Sequence, residues 1–191
     1  MFEIRFHGRG GQGTVIAAKI IADAVLRSGK GECVAIPEFG VERRGAPVMA
    51  YARVSDKKIR VRTRIYQPDA VVLMDPTLVS NPSVIQGLKS GGIILVNTEQ
   101  SRSDLAKIWP QFTIRAVPAR KIAVSHGLGS AASPVVNTAM CGAICAVFGI
   151  VDMNSLESAI REAVPAKPEE NVAAAGEAYQ YCTKESACAA H

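Results

Sequence analysis

A chain of 191 residues with 48% hydrophobic and 20% charged residues can bury one proper core and is too apolar for a disordered segment. No apolar run approaches the roughly 18 residues a membrane helix needs, and the start lacks a signal-peptide layout, so a cytoplasmic protein with no membrane partner is expected. The net charge of +5 is mild, and the 5% of aromatic residues do not interleave with the basic ones, which argues against a nucleic-acid stacking surface.

Glu3–His7 alternates and is β-rich, and Gly13–Ser28 carries the apolar stripe Val15, Ile16, Ile20, Ala24 and Val25 of a helix. Gly29 and Gly31 stop that helix before a second strand, Cys33–Ile36. Alternation of Val48, Ala50, Ala52 and Val54 predicts a third strand. Ser55-Asp56-Lys57 turns it into a fourth, Ile59–Ile65, with Arg60, Arg62 and Arg64 on alternate positions. That pair makes an antiparallel hairpin. Further on come a strand Ala70–Met74, a helix near Pro82–Lys89, a strand Ile93–Val96, a helix around Ser103–Ile108 and a strand Thr113–Val117.

The remainder reads as helical. Pro118–Ser125 is a short helix, Pro134–Phe148 a long apolar one with Ser130–Pro134 as its cap, and Asn154–Ala163 is capped at Asn154. Lys167–Lys184 opens with Pro168 and Glu169 in its first turn. The expected fold is a single α/β domain over 1–191: three-layer α/β/α, a mixed, mostly parallel sheet containing an antiparallel hairpin, and a helical C-terminal third.

Five cysteines, Cys33, Cys141, Cys145, Cys182 and Cys188, form no C-x-x-C pair. Cys141 and Cys145 read as core residues of a helix, and Cys182 and Cys188 as part of a polar tail. Neither a disulfide framework nor a metal or cluster site on this chain is expected. Arg43, Arg44, Arg53, Lys57, Lys58, Arg60, Arg62 and Arg64 crowd together. They suit an anionic ligand, an acidic partner or a solvated hairpin face.

The chemistry concentrates in Gly8-Arg9-Gly10-Gly11-Gln12-Gly13. Four glycines between a strand and a helix present backbone N–H groups to an anion. The spacing G-x-G-x-x-G, with Glu38 after the second strand, also matches a dinucleotide site. Against that stand the hairpin in place of a crossover helix, the donors Arg9 and Gln12 in the loop, and the lack of a hydride-transfer acid or base. A tight turn with no ligand is the third reading. Lys19 is either a phosphate-binding cation or a solvated helix lysine. Arg43 and Arg44 either contact a ligand or pair with a carboxylate such as Glu38 or Glu42. His7 ends the first strand beside the loop, as a proton-transfer group or a structural residue. His126 lies in a second glycine-containing loop with no catalytic partner in view.

The segments FHGRGGQGTVIAAKIIADA and PEFGVERRGAPVMAYARVSD closely resemble the gamma subunit of 2-oxoacid:ferredoxin (or flavodoxin) oxidoreductases, and the likeness runs from residue 3 to the helix near Phe148. The length suits a separate gamma chain. The resemblance implies a complex that decarboxylates a 2-oxoacid oxidatively, passes the acyl group to coenzyme A and sends electrons to ferredoxin or NAD. Thiamine diphosphate, Mg2+ and [4Fe–4S] clusters then belong to alpha, beta and ferredoxin-like delta partners, in some complexes beside a flavin subunit. This chain is expected to be a non-redox subunit with no catalytic residue of its own. Its coenzyme A candidates are Gly8, Arg9, Gly10, Gly11, Gln12, Gly13, Thr14, Lys19, Arg43 and Arg44. The alternatives are a Rossmann-like nucleotide-binding oxidoreductase and a purely scaffolding subunit.

Overall fold

The computed structural model describes residues 1–38 and 45–188, the side chains of Ser186 and Cys188 excepted. Six strands form one sheet: β1 (Phe2–Arg9), β2 (Glu32–Pro37), β3 (Pro47–Ser55), β4 (Ala70–Leu73), β5 (Ile93–Asn97) and β6 (Thr113–Val117). Their order is β2-β3-β1-β4-β5-β6. β3 runs antiparallel to both neighbours, and the pairs β1–β4, β4–β5 and β5–β6 are parallel. The mixed α/β sheet is therefore as expected. Its antiparallel partners are β2 and β1, not the segment after β3.

The period of two along β1 sorts the two faces. Ile4 and Phe6 enter a core shared with α1 (Thr14–Arg27), α3 (Ala119–Ser125), α4 (Asn137–Phe148), α5 (Met153–Ala163) and α6 (Pro168–Cys188). Arg5 and His7 sit between them on the opposite face, also buried. That second face is covered by α2 (Arg102–Ile108) and by two 3-10 turns, Pro76–Ser80 and Pro82–Ile85, whose Leu78 and Val84 pack with Leu105 and Trp109 of the α2 region.

Several expectations need correcting. The segment Ile59–Ile65 is an irregular strap and not a strand. Its carbonyls are claimed by a buried arginine: Arg53 donates to the carbonyls of Val61, Thr63 and Arg64, and pairs with Glu3 at 2.7 Å. The helix expected near Pro82–Lys89 is instead the 3-10 turn Pro82–Ile85, capped by Asn81. There Arg5 takes the carbonyls of Val84 and Gln86, which a longer helix would need for its own amides. In α1, Thr14 is buried whereas Ile16 is exposed. The cap of α5 is Asp152, which accepts from the amide of Ser155, and not Asn154. Nor does Ser130–Pro134 cap α4, which starts at Asn137 after Val136 with no side-chain cap.

Cys141 and Cys145 face the core as expected. Cys182 does too, because α6 runs through it to Cys188, so it is not part of a polar tail. Burial pushes the Cys33 and Cys182 thiols up to about 12 and Cys145 to about 11, so these are packing residues and not reactive thiolates. Among the described residues no helix is long and apolar enough to cross a membrane.

Candidate functional site at the switch point of the sheet

From β1 the chain leaves through α1 toward β2 on one side, while β4, β5 and β6 build outward on the other. The gap between β1 and β4 is where the winding reverses, and at the carboxyl ends of these strands such sheets open a crevice. The glycine loop fills it. Gly13 begins α1 in the left-handed region (φ 73°) with no side-chain cap, so the first-turn amides of α1 are left for water or a ligand. Gly11 is left-handed as well, at φ 95°. A Cβ on Gly8 would fall 2.1 Å from Oγ1 of Thr14, so only glycine lets β1 and α1 approach this closely.

The loop is tied down by side chains from both of its ends. Gln12 accepts from the Arg9 amide at 2.8 Å and donates through Nε2 to Oδ2 of Asp75 at 2.6 Å. Asp75, just past β4, also accepts from the amide of Thr77 at 2.9 Å and from its hydroxyl. Arg9 donates to the Gly45 carbonyl and, at 2.8 Å, to Oγ1 of Thr77, with its Nε 3.6 Å from Asp75. Burial pushes the Asp75 carboxyl upward, but the Thr77 and Gln12 bonds and the Arg9 charge outweigh it and hold the group below its ordinary value. Further along the strand ends, Asn97 donates to the Met74 carbonyl and accepts from the amide of Arg120.

A cavity of about 600 Å³ opens over this network, lined by Arg9, Gly11, Gln12, Asp75, Thr77 and Arg120. A smaller one, about 280 Å³, shares Arg9, Gly10 and Gly11 and reaches Gly13 and Thr14. Oγ1 of Thr14 is buried without a hydrogen-bond partner, in a residue only 3% exposed. A buried hydroxyl with nothing to bond is costly and rare. Of the expected site residues, Gly8, Arg9, Gly10, Gly11, Gln12, Gly13 and Thr14 thus come together. Lys19 lies on the exposed side of α1 and lines neither cavity. Arg43 and Arg44 lie outside the described residues, as does Glu42. Glu38 accepts from the Tyr51 hydroxyl at 2.6 Å and pairs with Arg64, lining neither cavity. His126 pairs with Glu177 at 2.7 Å, on α6.

Asp75, Thr77, Asn97 and Arg120 escaped the sequence reading. Their shared signal is position: Asp75 and Arg120 closely follow strands of the parallel set, where switch-point ligands bind.

His7 is a buried member of the opposite face. Its Nε2 accepts from Nε of Arg5 at 3.0 Å. Desolvation first, and then the Arg5 charge, bring its pKa down to about 4. Unfolded, the imidazole titrates near 6.5. Between about pH 6.5 and 4 the unfolded chain therefore binds more protons than the folded one, and stability falls as pH drops through that window. The expected loss is about 3 kcal/mol. Urea unfolding at pH 7 and pH 4.5 checks it, and His7→Gln, which keeps an acceptor for Arg5, should flatten the slope.

The fold defines a doubly wound α/β domain with an open crevice at its switch point. A family model described as pyruvate ferredoxin/flavodoxin oxidoreductase matches residues 3–181. The common gamma subunit of the pyruvate/ketoisovalerate oxidoreductases of Thermococcus kodakarensis is 46% identical over 184 residues, covering 94% of this chain and 96% of that protein. The crystal structure of pyruvate oxidoreductase subunit PORC from Thermotoga maritima superposes with a TM-score of 0.79 at 35% identity, over 94% of this chain and 95% of its own. A 2-oxoglutarate:ferredoxin oxidoreductase from Magnetococcus marinus, solved with 2-oxoglutarate, coenzyme A and succinyl-CoA, gives a TM-score of 0.71 at 22% identity. There 96% of this chain covers 31% of the other, a likeness of fold alone. The chain belongs to the pyruvate ferredoxin/flavodoxin oxidoreductase family. Within that family it is of the gamma-subunit kind, one component of a 2-oxoacid oxidoreductase complex.

Proposed function

We propose that this chain forms part of the coenzyme A site of its complex and packs against the subunits that carry the redox chemistry. The overall reaction converts a 2-oxoacid and coenzyme A to acyl-CoA and CO2, with two electrons passing to ferredoxin or NAD. Thiamine diphosphate with Mg2+ and the [4Fe–4S] clusters, on alpha, beta and delta partners, supply decarboxylation and electron transfer. A flavin subunit joins where NAD is the acceptor. The gamma chain's own work is binding. The buried, unpartnered Thr14 hydroxyl beside an uncapped helix start carries this reading. It supplies a donor with no protein acceptor where first-turn amides already favour a phosphate. Arg9 and Arg120 add positive charge to the adjoining cavity. Coenzyme A bound in the Magnetococcus enzyme of the same fold supports the choice of ligand. Lys19, Arg43 and Arg44 stand as further cations for its phosphates.

Gly11 offers the direct test. A Cβ there meets nothing within 4 Å, and Asp and Asn tolerate left-handed backbone better than other side chains. In the assembled complex, Gly11→Asp should raise KM for coenzyme A about tenfold or more, or ~1.4 kcal/mol. The KM for the 2-oxoacid should stay within twofold, and the neutral Gly11→Asn should have the smaller effect. An unchanged coenzyme A KM would leave a scaffolding subunit. A loss confined to NAD(H) binding would favour the nucleotide reading.

A further inference from the structure

A third cavity, about 610 Å³, lies on the opposite face of the sheet. Its polar lining includes Arg5, His7 and Tyr51 of β1 and β3, and its apolar lining Met49, Leu78 and Val84. Arg5 is the unusual member. Only 7% of it is exposed, yet every acceptor it uses is neutral: His7 Nε2 at 3.0 Å and the carbonyls of Val84 and Gln86 at 2.9 and 2.7 Å. Its Nη1 has no acceptor, and no carboxylate lies within ion-pair distance, among the described residues. Glu38 is already taken by Tyr51 and Arg64. A buried cation without a counter-ion is expensive.

We propose that this cavity binds a small organic monocarboxylate, its carboxylate on Nη1 of Arg5 and its apolar body against Met49, Leu78 and Val84. Among the described residues the charges at the cavity sum to a single positive one, because Arg64 and Glu38 cancel. A monoanion matches that, and a phosphate dianion does not. The cavity's apolar wall and neutral imidazole likewise suit a compact acid better than a heavily hydrated anion. Burial already draws the Arg5 guanidinium below its ordinary value, against the more distant pull of Tyr51 and Glu38. A bound carboxylate relieves that cost. It also cancels the Arg5 field that His7 feels. Among the described residues, His7 faces Arg5 on β1 and the Val84 backbone of the second 3-10 turn, and Tyr51 on β3, Arg64 on the strap and the uncharged Asn81 and Ser83 line the same cavity.

The test uses the full chain, with isobutyrate as the probe and isobutyramide and inorganic phosphate as controls. Imidazole NMR follows His7, and calorimetry measures affinity. Isobutyrate should bind saturably and move the His7 midpoint upward by about one pH unit or more. The amide should not bind, and phosphate should bind at least about tenfold more weakly than isobutyrate. Arg5→Gln should weaken isobutyrate about tenfold or more. Met49→Trp, which leaves Arg5 intact and fills the cavity, should do the same even if Arg5→Gln fails to fold. No saturable binding, equal binding of the amide, or undiminished binding by a folded variant overturns the proposal. Binding by the free chain but not by the assembled complex also overturns it, since a neighbouring chain then covers the pocket.

Discussion

Asp75→Ala is expected to cost about 3 kcal/mol of stability and to raise the KM for coenzyme A by about tenfold or more in the assembled complex. One carboxylate accepts from the amide and hydroxyl of Thr77 and from Gln12, beside Arg9. Its removal leaves those donors in a partly buried place without an acceptor. Asp75→Asn separates the two duties. An oxygen in the Oδ1 position still serves Thr77, whereas an amide group in place of Oδ2 faces Gln12 and Arg9 as a donor to donors. That variant should keep most of the stability and lose most of the coenzyme A affinity. The sign with pH follows from a carboxyl held below its ordinary value. Its contribution is complete well above the unfolded pKa of about 3.9 and disappears as pH falls through the folded value. The Asp75 variants should lose the Asp75 share of the acid-limb slope and keep the share from His7, and chemical unfolding at pH 5 and pH 3 measures the difference from the parent chain.

Gly142→Ala should be the most damaging single methyl in the helical layer. A Cβ at this position would lie 1.9 Å from the carbonyl oxygen of Ala175 and 2.6 Å from its carbon, both backbone atoms of α6. The helices must move apart, and α4, buried from Asn137 to Cys145, has no free side toward which to move. The expected cost is about 3 kcal/mol or more, read as a fall in Tm of roughly 6–12 °C. Gly176→Ala, one residue past Ala175, is the control. Its Cβ would meet nothing within 4 Å, so the same change there should stabilise by up to about 1 kcal/mol through helix propensity. Thermal unfolding of the two variants side by side decides whether the α4–α6 approach is as close as described. Equal effects would exclude it.

Local features were legible in the sequence. β6 falls at Thr113–Val117 as read, because a short apolar run between two helical stretches admits little else. The glycine loop declared itself through four residues that tolerate unusual backbone and through the strand and helix on either side. What was hidden is whatever topology brings from afar. Asp75 meets Gln12 across 63 positions, and Arg120 joins the same cavity from beyond β6. The strand expected at Ile59–Ile65 failed for a specific reason. Alternating arginines imitate a half-exposed strand, but Ile59 and Ile65 alone are buried, and the carbonyls between them bond to Arg53. In the same way Arg5 ends a helix that local propensity would have continued. Buried guanidinium groups overrode local preference in both places, and nothing in the local pattern marks an arginine as buried.

The two buried arginines have an evolutionary consequence. The strap that crosses Arg53 and the turn that crosses Arg5 are recognised through carbonyl oxygens, which every amino acid has. A segment gripped in this way is fixed in position while its exposed, unpaired side chains carry almost no folding requirement. Val61 and Thr63 offer the same atoms whatever their side chains, and Arg60 and Arg62 lie exposed beside them. The helical layer has no such freedom, since at Gly142 even one methyl is excluded. Selection can therefore rewrite the outer surface of the strap, charge included, without renegotiating the fold.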